Sequence, residues 1–175
     1  MEKSRIEIEQ LNLQPFTAFE PEGILLVSGQ DPCCVNFMTI AWGMFGVMWA
    51  KPSVMVMVRS TRCTWELLKE NPDFTLNWLP EEWRDAVTLG GEESGRFLDK
   101  FEATGLHPAK ANAVLSPIIE ESVLSIECKI SCRAELSPEQ FVDQSLLKYY
   151  TKDEYHDLFF GEILGATGIA SFRKG

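Results

Sequence analysis

The chain has 175 residues, a formal net charge of −10 at pH 7, and 45% apolar and 11% aromatic residues. That composition excludes a disordered chain, and the acidic balance excludes broad binding of nucleic acid or of an acidic membrane surface. The length fits one domain, residues 1–175, and no run approaches the roughly 18 apolar positions of a membrane-spanning helix.

The opening residues, MEKSRIEIEQ, are charged throughout and unlike a signal peptide, so the expected location is the cytoplasm. Residues 1 to 22 read as an acidic lead-in. Gly23 to Ser28 then reads as a short buried strand, closed by Gly29 and Pro32. Two long apolar strands follow, Phe37 to Met48 and Val54 to Arg59. Apolar residues on both faces require a covering on each side, from helices or from a second subunit. Next comes Arg59-Ser60-Thr61-Arg62-Cys63-Thr64, and then a short helix from about Trp65 to Glu70 that Asn71-Pro72 stops.

Phe74 to Leu79 is a fourth strand. Pro80-Glu81-Glu82 opens a helix that Gly90-Gly91 ends, and a further helix covers Gly95 to Thr104. From there to Pro117 no pattern stands out. Leu124 to Ala134 alternates with a period of two, placing Leu124, Ile126, Cys128, Ile130, Cys132 and Ala134 on a buried face and the polar residues between them on a wet one. Ser137-Pro138-Glu139-Gln140 has a capping-box pattern and predicts a helix to about Lys148. Leu158 to Phe172 supplies the last strand or pair of strands, with Gly161, Gly165 and Gly168 marking bulges or close backbone approach. The whole predicts a mainly β protein, an antiparallel closed or split barrel with short inserted helices.

The cluster at 59–64 is the strongest chemical signal. A helix start presents free N–H groups and the positive end of the dipole, and here three hydroxyls and two guanidinium groups stand beside it, as a phosphate requires. The same residues also suit a plain strand-to-helix turn, with Thr61 or Thr64 capping the helix and the arginines in water. No G-x-G-x-x-G or Walker loop occurs. Five cysteines without zinc spacing fit reduced thiols, and His107 and His156 alone give a histidine metal site no support.

Several segments together resemble the flavin reductase-like family with an FMN-binding split barrel, flavoredoxin-like proteins among them. They are Leu26-Val27-Ser28, Asn36 to Trp42, Lys51-Pro52-Ser53, Ser60 to Thr64, Phe74 to Asn77, Ser94-Gly95-Arg96, Asp99-Lys100-Phe101 and His156 to Glu162. The similarity spans roughly residues 23 to 168. It implies a homodimer of split barrels, each binding FMN near the subunit interface. Asn36, Met38, Thr39, Ile40 and Ala41 would run along the isoalloxazine ring. Ser60, Arg62 and Thr64, with Arg59, would hold the phosphate. Asn77, Lys100 and Phe101 would complete the pocket, with Trp42 and His156 beside it. For Met38 and Trp42 the alternative is core packing, for Lys100 a solvated helix face, and for His156 the orienting of backbone. The chain departs from its relatives at Gly23-Ile24 and at Asp31-Pro32-Cys33-Cys34, which leaves substrate preference open.

The resemblance implies transfer of electrons from a transiently bound NADH or NADPH, through FMN, to a second acceptor. Two other readings compete: an FMN-bearing electron carrier reduced by a protein partner, and a thiol function centred on Cys33-Cys34 with Cys63. Adjacent cysteines form only strained disulfides, and cysteines on an apolar strand face, as expected for Cys128 and Cys132, are inert.

Overall fold

A computed structural model describes residues 2–20, 23–30, 34–150 and 154–174. Its centre is an antiparallel eight-stranded sheet. In chain order the strands are β1 (Ser4–Ile6), β2 (Ile24–Ser28), β3 (Asn36–Ile40), β4 (Gly43–Met48), β5 (Lys51–Arg59), β6 (Asp73–Trp78), β9 (Leu124–Glu135) and β10 (His156–Gly168). A small separate hairpin supplies β7 (Pro108–Ala109) and β8 (Ile118–Ile119), in the stretch where the sequence showed no pattern. The helices are α1 (Cys63–Glu70), α2 (Arg84–Glu92) and α3 (Lys100–Thr104).

The strands neighbour one another in the order β3-β2-β6-β9-β10-β5-β4, with β1 on the far end of β10. The two end strands of this path, β3 and β4, are consecutive in sequence. Residues Phe37 to Met48 are therefore two strands, where a single one was expected. Ala41 and Trp42 carry the chain from one sheet edge to the other, and Met57 N donating to Trp42 O at 3.3 Å ties that step to β5. The sheet curls into a barrel left open between β3 and β5.

Two apolar clusters explain why the strands are greasy on both faces. Leu26, Met38, Val56, Phe74, Ile126 and Phe159 are among those filling the barrel. On the outer face Leu25, Val27 and Phe37 pack under Ala86 and Val87 of α2 and Leu106. Helices thus cover β2 and β3. On the outer face of β4 Met44 is exposed, and so are Val47, which the strand alternation turns to the other face, and Trp49 in the turn beyond the strand.

Several boundaries differ from the sequence expectation, each for a local reason. The lead-in is part of the fold, since β1 pairs with β10 and both Ala18 and Phe19 are buried. Helix α2 runs through Gly90-Gly91 to Glu92 because Gly90 lets it close on β3; a Cβ there would stand 2.7 Å from Thr39 Oγ1. The helix expected over Gly95 to Thr104 shrinks to α3, because Asp99 caps its start by accepting from Phe101 N and Glu102 N.

On β9 the polar face is as buried as the apolar one up to Cys128, while Cys132 and Ala134 are exposed. Glu127 accepts from Asn112 N and Ala113 N of the overlying 110–117 segment, so its carboxylate is buried with partners. The helix expected from Pro138 to Lys148 is two short 3-10 turns, Pro138–Gln140 and Gln144–Tyr149. Its capping box forms, but Asp143 starts a second turn by accepting from Ser145 N at 2.9 Å. Strand β10 is single, with register shifts at Phe160/Gly161 and Ile163/Gly165, where glycines had suggested bulges. Pro32 and Cys33 lie outside the described residues.

Candidate functional site

Two cavities meet at the barrel's opening. One of about 380 Å³ lies where β5 turns into α1. The other, about 170 Å³, runs along β3 and the Ala41-Trp42 step. They share Met38, Arg59 and Arg62, so Met38 and the two guanidinium groups stand where they join.

The larger cavity is polar. Arg62 is the N-cap residue of α1, and no side chain caps that helix start. The threonines that might have done so are engaged elsewhere: Thr64 Oγ1 accepts from Asn36 Nδ2 at 2.8 Å, and Thr61 Oγ1 donates to Glu154 Oε2 at 3.4 Å. The first-turn N–H groups and the positive dipole end therefore face the cavity without a carboxylate or hydroxyl cap. Arg59, Arg62 and Lys100 line it, opposed by Glu93 and Glu154. That leaves an excess of positive charge on a protein that is acidic overall.

Each cation is also tied into the fold. Arg62 donates to Gly91 O at 2.9 Å. Arg59 donates to Tyr149 O at 2.9 Å and to Glu154 O at 3.4 Å, with its guanidinium 5.6 Å from the Tyr150 ring centre. Lys100 is buried, with Nζ donating to Phe37 O and Gly90 O, both at 3.0 Å. Burial, and then the charge of Arg62, pull its pKa down to about 8. The solvated-helix alternative for Lys100 is thereby overturned.

The smaller cavity is mostly backbone and ring. Among the described residues strand β3 has a strand neighbour on one side only. Phe37's carbonyl turns to Lys100 on the unpaired side, and the two-residue period sends Thr39's N–H and C=O the same way. Thr39's hydroxyl instead donates to Val87 O, and Ile40's side chain packs inside the barrel. Trp42 stands at the far end with its ring centre 5.1 Å from that of His156. His156 is buried, its Nδ1 sits 3.0 Å from Tyr150 Oη, and burial together with Arg59 and Arg62 lowers its pKa to about 4. The imidazole is therefore neutral at physiological pH.

Of the fourteen residues singled out in the sequence, eleven line these cavities: Asn36, Met38, Thr39, Ile40, Ala41, Trp42, Arg59, Arg62, Thr64, Lys100 and His156. Three do not. Ser60 is exposed on the turn and lines neither cavity. Phe101 packs edge-on against Phe37 at 5.0 Å, in the outer apolar cluster. Asn77 is buried within the sheet, where its Oδ1 accepts from Ile119 N and Ser125 Oγ and its Nδ2 donates to Thr75 Oγ1. Those bonds occupy its amide completely enough to make it a structural residue.

The cavities also take in Met57, Thr61, Cys63, Glu93, Ser94, Gly95 and Glu154. Ser94-Gly95 stood in one of the resembling segments. Glu154 carried no sequence signal; it arrives because β10 pairs His156 with Arg59. The Cys63 thiol has its pKa raised, chiefly by burial, which leaves it a poor nucleophile. Among the described residues no group of three or more potential metal ligands occurs, and no helix is long and apolar enough to cross a membrane.

Comparison with known proteins gives this site a family. The model described as "Flavin reductase like domain" matches residues 18–171. An uncharacterized protein of Escherichia coli (strain K12), YddH, is 29% identical over 139 residues, covering 77% of this chain and 63% of that protein. The chain spans 47% to 63% of the length of the curated relatives it matches. Among solved structures, flavoredoxin of Desulfovibrio vulgaris (Miyazaki F) aligns with a TM-score of 0.66 at 22% identity, over 85% of this chain and 69% of that one. An FMN-binding domain of a flavin reductases-like enzyme from Shewanella baltica OS155 aligns at 0.67 and 18% identity, over 95% and 77%. At these identities the structural likeness is one of fold. The chain therefore belongs to the flavin reductase-like domain family, a family of flavin-binding redox domains.

Proposed function

We propose that the joined cavities bind FMN and that the protein moves electrons from NADH or NADPH through it to a second acceptor. The observation that carries this reading is the uncapped start of α1 opening, among Arg59, Arg62 and Lys100, into a cavity continuous with the unpaired edge of β3. The fit is chemical: cationic at one end for a phosphate, with backbone donors and acceptors and flat apolar walls at the other for a ring system. The two volumes, about 380 and 170 Å³, together fall in the roughly 300–1,000 Å³ range of ligand sites.

In this arrangement Arg62 and the N–H groups of Cys63 and Thr64 hold the phosphate. Asn36 fixes the Thr64 side chain, and Lys100 both braces β3 and adds charge. Thr39 and Ala41 present backbone groups to the ring edge, with Met38 and Trp42 against its face. When bound, the isoalloxazine supplies the hydride chemistry, and the protein positions it and tunes its surroundings. Neutral His156 orients Tyr150 and Trp42. The absence of a dinucleotide fingerprint suits a nicotinamide that visits and leaves. The proposed protein is a single-domain cytoplasmic homodimer, in which exposed Met44 on β4 and Trp49 in the turn after it are available to a second copy.

The test is anaerobic mixing of purified protein, FMN and NADPH or NADH. Flavin bleaching at catalytic rates is expected. Tight FMN binding with no bleaching by either nucleotide would favour a carrier reduced by a partner protein, and no FMN binding would end both readings.

Lys100 gives the site a pH dependence of definite sign. Its lowered pKa means that the ammonium discharges as pH rises through about 8 in the empty protein, whereas a bound phosphate favours the charged form. FMN affinity should fall above pH 8, by about tenfold for each unit by which the anion raises the lysine pKa. In Lys100→Met the profile between pH 7.5 and 9.5 should be flat. Identical slopes in the two proteins would remove Lys100 from the anion's surroundings.

A further inference from the structure

A third cavity, about 320 Å³, adjoins the β3 cavity and shares Trp42 and Met57 with it. Its remaining wall is the 136–150 segment, with Leu136, Phe141, Tyr149 and Tyr150 the residues that shape it. Among the described residues no charged side chain lines it. Trp42 meets Tyr149 edge-on at 5.4 Å, and Phe141 and Tyr150 have ring centres 5.4 Å apart.

Arg59 holds this wall in place from behind, through Tyr149 O and the Tyr150 ring, so that its charge faces the anion cavity while the rings face the third one. Trp42, Leu146 and Tyr149 are 39%, 42% and 45% exposed, respectively. Large apolar side chains left this open around a concavity mark a place for a ligand. The polar groups in the lining are those of Trp42, Tyr149 and Tyr150, and the Tyr150 hydroxyl is in contact with His156 Nδ1.

We propose that this cavity is the subsite of the second substrate, and that the substrate is an uncharged planar aromatic carbonyl compound of one or two fused rings, a quinone. Flat aromatic walls favour offset or edge-on contact with such rings. The described lining residues carry no cation, which disfavours the phosphate-bearing nicotinamide nucleotides. The role as electron acceptor rests on the proposed function; binding to the cavity does not. A quinone leaving as hydroquinone takes up one hydride and one proton, the hydride supplied by the nicotinamide donor by way of the flavin and the proton by solvent.

The probe is 2,3-dimethyl-1,4-naphthoquinone, whose blocked ring carbons cannot alkylate the exposed thiol of Cys132. Equilibrium dialysis against wild-type protein, Leu146→Asp and Tyr149→Ser, each with and without FMN, measures its binding. Both variants change half-exposed residues outside the proposed flavin cavities. Saturable binding to the wild type, weakened at least tenfold in both variants while FMN titrations stay unchanged, is expected.

Equal binding to all three proteins, no saturable binding to the wild type, or displacement of the probe by nicotinamide mononucleotide would overturn the proposal. If FMN fails to bind but the probe still distinguishes the variants, the subsite stands and the flavin reading falls. If FMN binds and the probe does not distinguish them, the reverse holds.

Discussion

Replacing Arg62 by alanine should weaken FMN binding by about 1.5–3 kcal/mol, the range for hydrogen bonds to a charged group, which is roughly a 10- to 150-fold rise in Kd. In the proposed site Arg62 is the residue on which the phosphate end turns. It stands where the two cavities join, it is the N-cap residue of α1, and its guanidinium donates to Gly91 O. Its planar fork has donors left for a phosphate. Riboflavin, which lacks the phosphate, should bind the two proteins with nearly equal affinity. Parallel titrations of FMN and riboflavin against wild type and Arg62→Ala decide the matter. Equal losses for both flavins would mean that the arginine supports the end of α2 through Gly91 and does not hold an anion.

Phe74→Ala should cost about 3–5 kcal/mol of folding stability, the largest single effect expected outside the site. Phe74 is fully buried in the barrel, opposite Cys128 on β9. Its ring lies flush against the backbone of β10 at Gly161, where an added Cβ would come within 2.8 Å of Phe74 Cζ. Because the ring rests on a strand held by neighbours on both sides, the walls have little freedom to collapse into the space left behind. Denaturant unfolding of wild type and variant measures the difference, and FMN affinity of the folded variant should be nearly unchanged because Phe74 lines neither cavity. A stability loss under about 1 kcal/mol would show that the barrel interior is far more compliant than this packing implies.

What the sequence made legible was whatever depends on local chemistry. The cluster at 59–64 could be read as the turn into a helix, where it now lines a cavity, because its residue types and its place before the helix are adjacent in the chain. Strand β2, the start of α1 and the capping box at Ser137 were legible for the same reason. The break at Ala41-Trp42 was not, because the apolar run continues unaltered through it; only the topology, which sends β3 and β4 to opposite edges, requires the step. Glu154 and Met57 reach the site through strand pairing, which leaves no local mark. Ser125 and Glu127 read as a wet face because their polarity is visible in the sequence. The loop that buries them is visible only in three dimensions. Asn77 shows the opposite error, a residue carried into the site by family pattern whose amide is fully engaged in holding β6, β8 and β9 together.

The pairing of β1 with Gly168 to Ala166, continued by Lys174 N donating to Gln10 O at 2.8 Å, brings the first and last described segments side by side. Sequence continuity at the two ends is therefore geometrically interchangeable with continuity elsewhere on the surface. The exposed tip at Trp49 and Ala50, two non-glycine residues with φ of +50° and +58°, is the natural place to reopen the chain. A circular permutant of residues 2–174, with a linker from Lys174 to Glu2 and new ends at that tip, would retain every strand pairing of the barrel. It would also release a left-handed backbone turn that side chains ordinarily avoid.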